Sequence, residues 1–322
     1  MIRNIDLLRA RAEPKLLHMW GVTGVGNLED RIRLYVEGTP DIYPTHIDGV
    51  RLEVVKTGKI KALALMNVPW FTPVNPLQTS RVGRFRPAPG GCSIGHPKIT
   101  AGTLGCAIRI GGARYALSNN HVFAAASSIQ NPRASLGDPT YQPGVYDGGK
   151  EADTIGNLAW YQPFNEVGPN IVDAALMKPA TDDLLLEEVL DIGAIAGTKT
   201  IREGDTVQKS GRTTAVTATE VIDVNATVNV DYGVFTLTLS NQIITNYMAN
   251  GGDSGSALLD MNRNLVGLLF AGSSYVTVHN HIANVLQAIG VAPKPPTAPG
   301  APTSPYSFIL PAVVGSLMGG II

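Results

Sequence analysis

The sequence predicts a mainly β protein whose body is a set of barrels or a sandwich, preceded by a small α/β domain. Val, Ile, Thr and Gly recur in short runs, and 35 glycines and 22 prolines supply the turns between them. At 322 residues the chain is longer than one typical domain. A formal charge of -1 argues against a nucleic-acid partner, and two cysteines are too few for a disulfide scaffold.

Residues 1–65 are predicted to form the small α/β domain. Apolar side chains recur at helical spacing over 3–17, which predicts an amphipathic helix that Pro14 weakens. Short β-like runs follow over 19–25, 32–36 and 50–55. Because this part of the sequence holds no cluster of His, Cys or acidic residues, we expect a structural, regulatory or oligomerising role.

Residues 66–98 change in character, since they are rich in proline and irregular in pattern. Such a composition predicts an extended linker between domains. A linker of this kind is also a natural place for proteolytic processing.

Repeated short strands are predicted from 99 to about 280, with a hairpin around Gly111 and Gly112. The segment 184–189 fits either a helical turn or a strand. A short helix is predicted over 282–289, and Gly290 ends it. The predicted strands cover 103–110, 114–117, 154–160, 171–177, 205–209, 217–223, 227–230, 234–239, 256–259 and 265–270.

The C-terminal part is predicted to be a Pro-rich spacer over 292–305 followed by an uncharged apolar tail over 306–322. Three interpretations of the tail stay open. It makes a weak membrane contact, it docks on this chain or on a second copy in self-association, or it is a disordered peptide. It is slightly short for a spanning helix, which needs about 20 apolar residues.

The N-terminus lacks the continuous apolar region of a secretory signal, so we expect a cytoplasmic protein, with peripheral membrane contact through the tail as the alternative. In that compartment Cys92 and Cys106 are expected to be free thiols. Secretion by another route would instead make a bridge between them plausible.

The most informative segment is Gly-Gly-Asp-Ser-Gly-Ser-Ala-Leu over 251–258. Glycines let the backbone approach a substrate closely, and the amides beside Ser254 can point at a developing oxyanion. This pattern is typical of a nucleophilic serine, although a Gly-rich hairpin turn is the alternative. A histidine and an aspartate upstream decide between the two.

Two upstream residues have the required contexts. His121 follows a strand-like run and precedes small residues, in Ser-Asn-Asn-His-Val-Phe-Ala. Asp173 stands in the apolar run Ile-Val-Asp-Ala-Ala-Leu, where a carboxylate is costly unless it is paired. An imidazole N–H is a suitable partner for it. Each residue alone fits an ordinary surface position.

Together, these motifs resemble the active-site sequences of chymotrypsin-like (trypsin-fold) serine proteases, in the chain order His121, Asp173, Ser254. Gly-Arg-Thr-Thr over 211–214 is similar to a strand of bacterial members. The resemblance covers about 90–291 and implies two β-barrels, over 99–182 and 183–291. The whole layout resembles a bacterial intracellular member with an N-terminal α/β extension.

The resemblance implies a serine endopeptidase acting on a protein or peptide, with no metal or cofactor. Ser254 is the expected nucleophile, His121 the general base and Asp173 its orienting partner. The backbone amides of Gly252 and Ser254 are expected to form the oxyanion hole. In the family, the residue six before the serine lies at the base of the primary substrate pocket. Here that residue is Met248, which is not acidic, and this argues against cleavage after Lys or Arg.

We therefore expect a preference for a small or apolar residue on the acyl side of the cleaved bond. The expected pocket residues are Met248, Phe270, Ala271 and Gly272.

One departure from the family concerns Asp253. In secreted members a new N-terminus pairs with this acid, but here nearly 100 residues precede the barrels. Either Asp253 has another partner, or cleavage in the linker activates the enzyme. The alternative functions are a catalytically inactive binding or scaffold module, and a narrow regulatory protease or esterase.

Overall fold

The structure, a computed structural model, describes residues 4–28, 30–63 and 80–292. The predictions for the Pro-rich spacer and the apolar tail lie outside these residues. In the described part, no helix has the length and apolar character needed to cross a membrane. The fold is mainly β, as predicted.

The described elements form an N-terminal unit, a first barrel and a second barrel. The N-terminal unit contains α1 (Asn4–Leu17), β1 (Val22–Leu28), β2 (Arg31–Val36), β3 (His46–Ile47), β4 (Val50–Lys56) and β5 (Lys61–Ala62). The first barrel contains β6 (Ala88–Gly90), β7 (Ser93–Ile94), β8 (Gly102–Thr103), β9 (Cys106–Ile110), β10 (Ala113–Ser118), α2 (Asn120–Phe123), β11 (Pro139–Tyr141), β12 (Thr154–Tyr161) and β13 (Ala175–Pro179). The strands β14 (Leu185–Val189) and β15 (Gly193–Ala194) lie in the range predicted for the second barrel, but they form a separate sheet with β6.

The second barrel contains β16 (Gly197–Thr198), β17 (Thr206–Gly211), β18 (Ala215–Asp231), β19 (Thr236–Asn246), β20 (Ala257–Asp260), β21 (Asn264–Gly272), β22 (Val276–His281) and α3 (Ile282–Ile289). Short 3₁₀ turns lie at Pro40–Ile42, Val145–Asp147, Glu151–Asp153 and Asp182–Leu184.

Both predicted helices are present, and several strands differ from prediction. The segment 184–189, left open in the sequence, forms β14 after a 3₁₀ turn. The two strands predicted over 217–223 and 227–230 form the single strand β18. Its pairing with β19 is irregular around Ala226 but continues across the polar residues between the two predicted runs. The sequence did not predict β22, because three of its residues are polar and the strand therefore lacks an apolar pattern. These residues, Thr277, His279 and Asn280, are nevertheless buried.

The sheet of the N-terminal unit continues the sheet of the second barrel. β1 pairs antiparallel with β18, with Gly24 opposite Val228. A side chain at Gly24 would meet the Thr227 carbonyl at 2.7 Å, so this close approach requires glycine. The order β17-β20-β21-β22-β19-β18-β1-β2-β4-β3 therefore joins both units in one sheet.

The helix α1 covers this joint. Its apolar face packs on β1 and β2 through Ile5, Ala12 and Leu16. Arg9, buried on the same helix, donates hydrogen bonds to the Val25 carbonyl at 3.1 Å and to Thr227 Oγ1 at 3.0 Å. A guanidinium that bonds both partners of the β1–β18 joint stabilises the attachment of the N-terminal unit.

The predicted linker ends earlier than residue 98. β6 and β7 lie within the predicted 66–98 range, and Ala88 and Ile94 are completely buried in the core of the first barrel. β6 pairs parallel with β14. The many prolines and glycines of this stretch suggested an irregular spacer, but the short strands between them pack into the core. Residues 66–79 of the predicted linker lie outside the described residues.

Candidate active site

His121 is placed by the end of a strand. β10 pairs with β13, and the chain then turns into the short helix α2, which carries the histidine. Its Nδ1 lies 2.5 Å from Asp173 Oδ2, and its backbone amide donates to Asp173 Oδ1 at 3.2 Å. Nε2 is buried and has no hydrogen-bond partner among the described residues. Because Nδ1–H donates to the carboxylate, Nε2 is the basic nitrogen that remains available.

Asp173 lies just before β13 rather than inside a strand, which corrects the expectation from its apolar run. Both of its backbone groups are fixed. Its amide donates to Asn280 Oδ1 at 3.0 Å, and its carbonyl accepts from Asn119 Nδ2 at 2.8 Å. The buried carboxylate is thus held in one orientation toward His121.

A third donor to Asp173 was not predicted. Tyr232 Oη donates to Asp173 Oδ2 at 3.0 Å, and its ring meets the His121 ring edge-on at a centroid distance of 5.7 Å. Burial, followed by the nearby charge of Asp173, raises the pKa of Tyr232 well above its ordinary value. The phenol therefore stays protonated and remains a donor. No sequence motif surrounds Tyr232 that would have identified it.

The loop carrying Ser254 depends on two glycines in the left-handed region. Gly252 and Gly255 both have φ of 96°. A side chain on Gly252 would meet Thr213 Oγ1 at 2.5 Å, and one on Gly255 would meet the Thr103 carbonyl at 2.2 Å. Larger residues would therefore open the loop.

Ser254 Oγ donates to the Phe270 carbonyl at 2.9 Å rather than to His121. The side chains of His121, Asp173 and Ser254 are all completely buried.

Asp253 has partners that require no new N-terminus. Its carboxylate accepts from the amides of Thr213 and Asn250 at 2.8 and 2.9 Å, and from the amide and hydroxyl of Thr214 at 3.1 and 2.6 Å. Lys209 Nζ lies 3.6 Å away and is also completely buried. The Gly-Arg-Thr-Thr motif thus binds the Ser254 loop.

Burial lowers the pKa of Lys209, and the charge of Asp253 opposes that effect. The sequence contained a signal for this cluster, because Lys209 and both threonines belong to or adjoin the 211–214 motif.

An extended segment of the N-terminal unit lies between the Ser254 loop and β21, a position here called the cleft. The Leu63 carbonyl accepts a hydrogen bond from the Gly252 amide at 2.8 Å, and the Leu63 amide donates to the Phe270 carbonyl at 3.2 Å. β5 pairs antiparallel with β21, with Ala62 opposite Ala271. No feature of the sequence around Leu63 predicted this position.

The four expected pocket residues divide into two groups. Met248 packs in one apolar cluster with Leu63, and a side chain at Gly272 would lie 3.5 Å from Leu63 Cδ1. Phe270 and Ala271 belong to a different cluster with Ile60, Ala62 and Tyr232. The Phe270 carbonyl therefore accepts the hydrogen bond from Leu63, while the Phe270 side chain packs in the cluster with Tyr232.

The two cysteines take no part in this site. Cys92 and Cys106 are buried and are not bonded to each other. Burial raises the pKa of each thiol to about 12, so neither is a thiolate at neutral pH.

Comparison with known proteins identifies one family. The model of the Trypsin family matches residues 90–289. No curated protein matches the chain.

Among solved structures, Thermobifida fusca Protease A matches with a TM-score of 0.48 and 19% identity, over 64% of this chain and 97% of that one. Cellulomonas bogoriensis chymotrypsin matches with a TM-score of 0.45 and 22% identity, over 63% and 95%. A glutamic acid specific serine protease matches with a TM-score of 0.45 and 21% identity, over 64% and 99%.

Proposed function

We propose that this chain, which belongs to the trypsin family, is a serine endopeptidase that hydrolyses protein or peptide substrates through an acyl-enzyme on Ser254. The observation that carries the proposal is the His121–Asp173 pair at 2.5 Å, whose unpartnered Nε2 is available as a base. A second observation supports it, since the Gly252 amide of the Ser254 loop already binds a peptide carbonyl oxygen.

The mechanism assigns a role to each residue. His121 Nε2 takes the Ser254 hydroxyl proton as Oγ attacks the carbonyl carbon, and it later gives that proton to the leaving amine. Asp173 fixes the tautomer and stabilises the imidazolium. This step requires Ser254 Oγ to rotate away from the Phe270 carbonyl toward His121.

The oxyanion is stabilised by the amides of Gly252 and Ser254. One such donor is worth about 3–4 kcal/mol in related chemistry. Water then hydrolyses the ester on Ser254, with His121 acting as base a second time. The proposal needs no metal or cofactor.

The preference proposed for the acyl side is a small or apolar residue. The Leu63 side chain packs in an apolar cluster that includes Met248, Ala249 and Leu258. An unpaired Lys or Arg charge buried among these side chains would cost several kcal/mol. Hydrolysis after Lys or Arg is therefore not expected.

The test of this function compares the wild type with variants that each carry one substitution. We expect a fluorophosphonate probe to label Ser254 and a peptide nitroanilide ending in Leu to be hydrolysed, with both signals lost in Ser254→Ala and His121→Ala. His96→Gln is the matched control, because His96 forms a separate pair with Asp138 at 3.1 Å in the first barrel. It should keep both signals.

Because the Leu63 carbonyl occupies the Gly252 amide, each measurement is repeated in a Leu63→Asp chain. Absence of labelling in both chains would establish the inactive scaffold instead. Hydrolysis of a nitrophenyl ester, with no hydrolysis of any peptide, would favour the esterase. Failure to cut unfolded casein by a labelled enzyme would favour a narrow regulatory protease.

A further inference from the structure

Residues 60–63, here called the cleft strand, form an added strand in the second barrel. On one side, β5 is antiparallel to β21, with Lys61 opposite Gly272. On the other side, the Asp231 amide donates to the Ile60 carbonyl at 3.1 Å. Lys59 Nζ forms an ion pair with Asp231 at 2.8 Å just before the strand. Strand addition of this kind is a common way for proteins to bind extended peptides.

The strand ends at the reaction centre. Leu63 donates its amide to Phe270, the residue whose carbonyl also accepts the Ser254 hydroxyl. The Leu63 carbonyl accepts from Gly252, whose amide is one of the proposed oxyanion donors. The peptide carbonyl of Leu63 is thus bound by the group expected to hold the carbonyl under attack.

The side chains of the strand match the cleft on both faces. Ile60 and Ala62 are buried in the cluster that contains Tyr232 and Phe270, whereas Lys61 is half-exposed. Leu63 is 3% exposed in the cluster that contains Met248. Such alternation is what an extended substrate shows when two of its side chains fill pockets and the one between them faces solvent.

From these contacts we propose that the cleft strand is this enzyme's own substrate, and that the chain cuts itself after Leu63. This inference rests on the proposed function and adds its site of action. It differs from processing in the Pro-rich 66–98 range, because the cleavage position is set by the Leu63 carbonyl. Leu63 then defines the acyl-side preference as a medium-sized apolar residue, with a small residue before it.

The step balances with water as the only co-reactant. Ser254 Oγ bonds to the Leu63 carbonyl carbon and its proton passes to His121 Nε2. The bond from that carbon to the Ala64 nitrogen breaks, and His121 protonates the released amine. Water then cleaves the ester, which leaves a Leu63 carboxylate and restores the Ser254 hydroxyl.

The experiment follows the intact masses of purified full-length wild type and Ser254→Ala over time. We expect the wild type to give two fragments that meet between residues 63 and 64, and Ser254→Ala to stay whole. The rate should not change on tenfold dilution, because the bond and the nucleophile belong to one chain. A rate proportional to protein concentration would overturn an intramolecular cut.

Two substitutions at Leu63 test the selection of the bond. Leu63→Met keeps an apolar side chain of similar volume and should be cut at the same position at a similar rate. Leu63→Asp places a charge in the apolar cluster and should lower the rate at this bond at least a hundredfold. Equal cutting of the Asp variant after residue 63 would overturn the assignment.

The two proposals fail in different ways. If the wild type stays whole, or is cut only elsewhere, while Ser254 of Leu63→Asp is labelled and hydrolyses Ile-Lys-Ala-Leu nitroanilide, then the self-cleavage inference is wrong and the protease function stands. If Leu63→Asp neither takes the probe nor hydrolyses the peptide, although its circular dichroism is that of the wild type, the protease function itself is wrong.

Discussion

The Gly252 amide donates to the Leu63 carbonyl across 2.8 Å, and this bond joins the Ser254 loop to the N-terminal unit. The amide proposed as an oxyanion donor is therefore occupied by the chain itself. The same unit is also joined to the second barrel by the pairing of β1 with β18.

Tyr232→Phe should lower kcat about tenfold or more without changing KM. The substitution removes one of the donors to the Asp173 carboxylate, and a hydrogen bond to a charged group is worth about 1.5–3 kcal/mol. Steady-state kinetics with a Leu nitroanilide gives both constants. The matched control is Tyr35→Phe, which removes a buried phenol bonded to Asp223 away from the site. Equal losses of kcat in the two variants would contradict a role of Tyr232 at the triad.

Lys209→Met should destabilise the fold by about 3–5 kcal/mol, since it leaves the buried Asp253 carboxylate without its cation. Urea unfolding measures this change, and probe labelling reports the Ser254 loop. Lys199→Met is the control, because Lys199 pairs with Asp260 at 3.2 Å while 45% of its side chain is exposed. For Lys199→Met we expect the free energy of unfolding to fall by no more than about 1 kcal/mol. Similar unfolding midpoints for both variants would show that the amides of Thr213 and Thr214 suffice for Asp253.

Gly252→Ala should lower kcat/KM about 10²- to 10³-fold, the loss expected when one oxyanion donor is displaced. The residue has φ of 96°, and a Cβ would meet Thr213 Oγ1 at 2.5 Å. Gly233→Ala is the control, because it has φ of 79° but open space around its Cβ. That variant should retain activity, so a comparable loss there would assign the effect to backbone strain alone.

Acid should destabilise the protein partly through His279. Burial, with the Lys209 charge second, lowers the pKa of His279 from 6.5 to about 3. Between these values the unfolded chain binds a proton that the folded chain does not, so stability falls as the pH drops below 6.5. Above pH 6.5 this group contributes no pH dependence.

Between pH 7 and pH 5, the His279 contribution should lower the free energy of unfolding by about 2 kcal/mol. His279→Gln, which keeps a polar partner for Thr245, should remove that difference in urea unfolding, whereas the exposed His46→Gln should not. An unchanged pH dependence in His279→Gln would mean that other groups account for the acid loss.

The sequence predicted the mainly β fold, both helices and the candidate site from local patterns. His121, Asp173 and Ser254 were found because each sits in a short run of characteristic residues. The Ser254 loop was the strongest signal, since its glycines meet a requirement of the local backbone for positive φ. The polar strand β22 was missed, because its buried polar groups bond to residues that are distant in sequence, such as Thr245 with His279.

What the sequence determined by itself was the set of candidate catalytic residues and the periodicity of the strands, because both are properties of residues near one another in the chain. The tertiary structure alone decided that Lys209 and two threonine amides hold Asp253, that Tyr232 binds Asp173, and that Leu63 fills the cleft. These contacts join residues that are far apart in the sequence or in separate elements. Their positions depend on sheet register and burial, which are set only when strands distant in the sequence pair with one another.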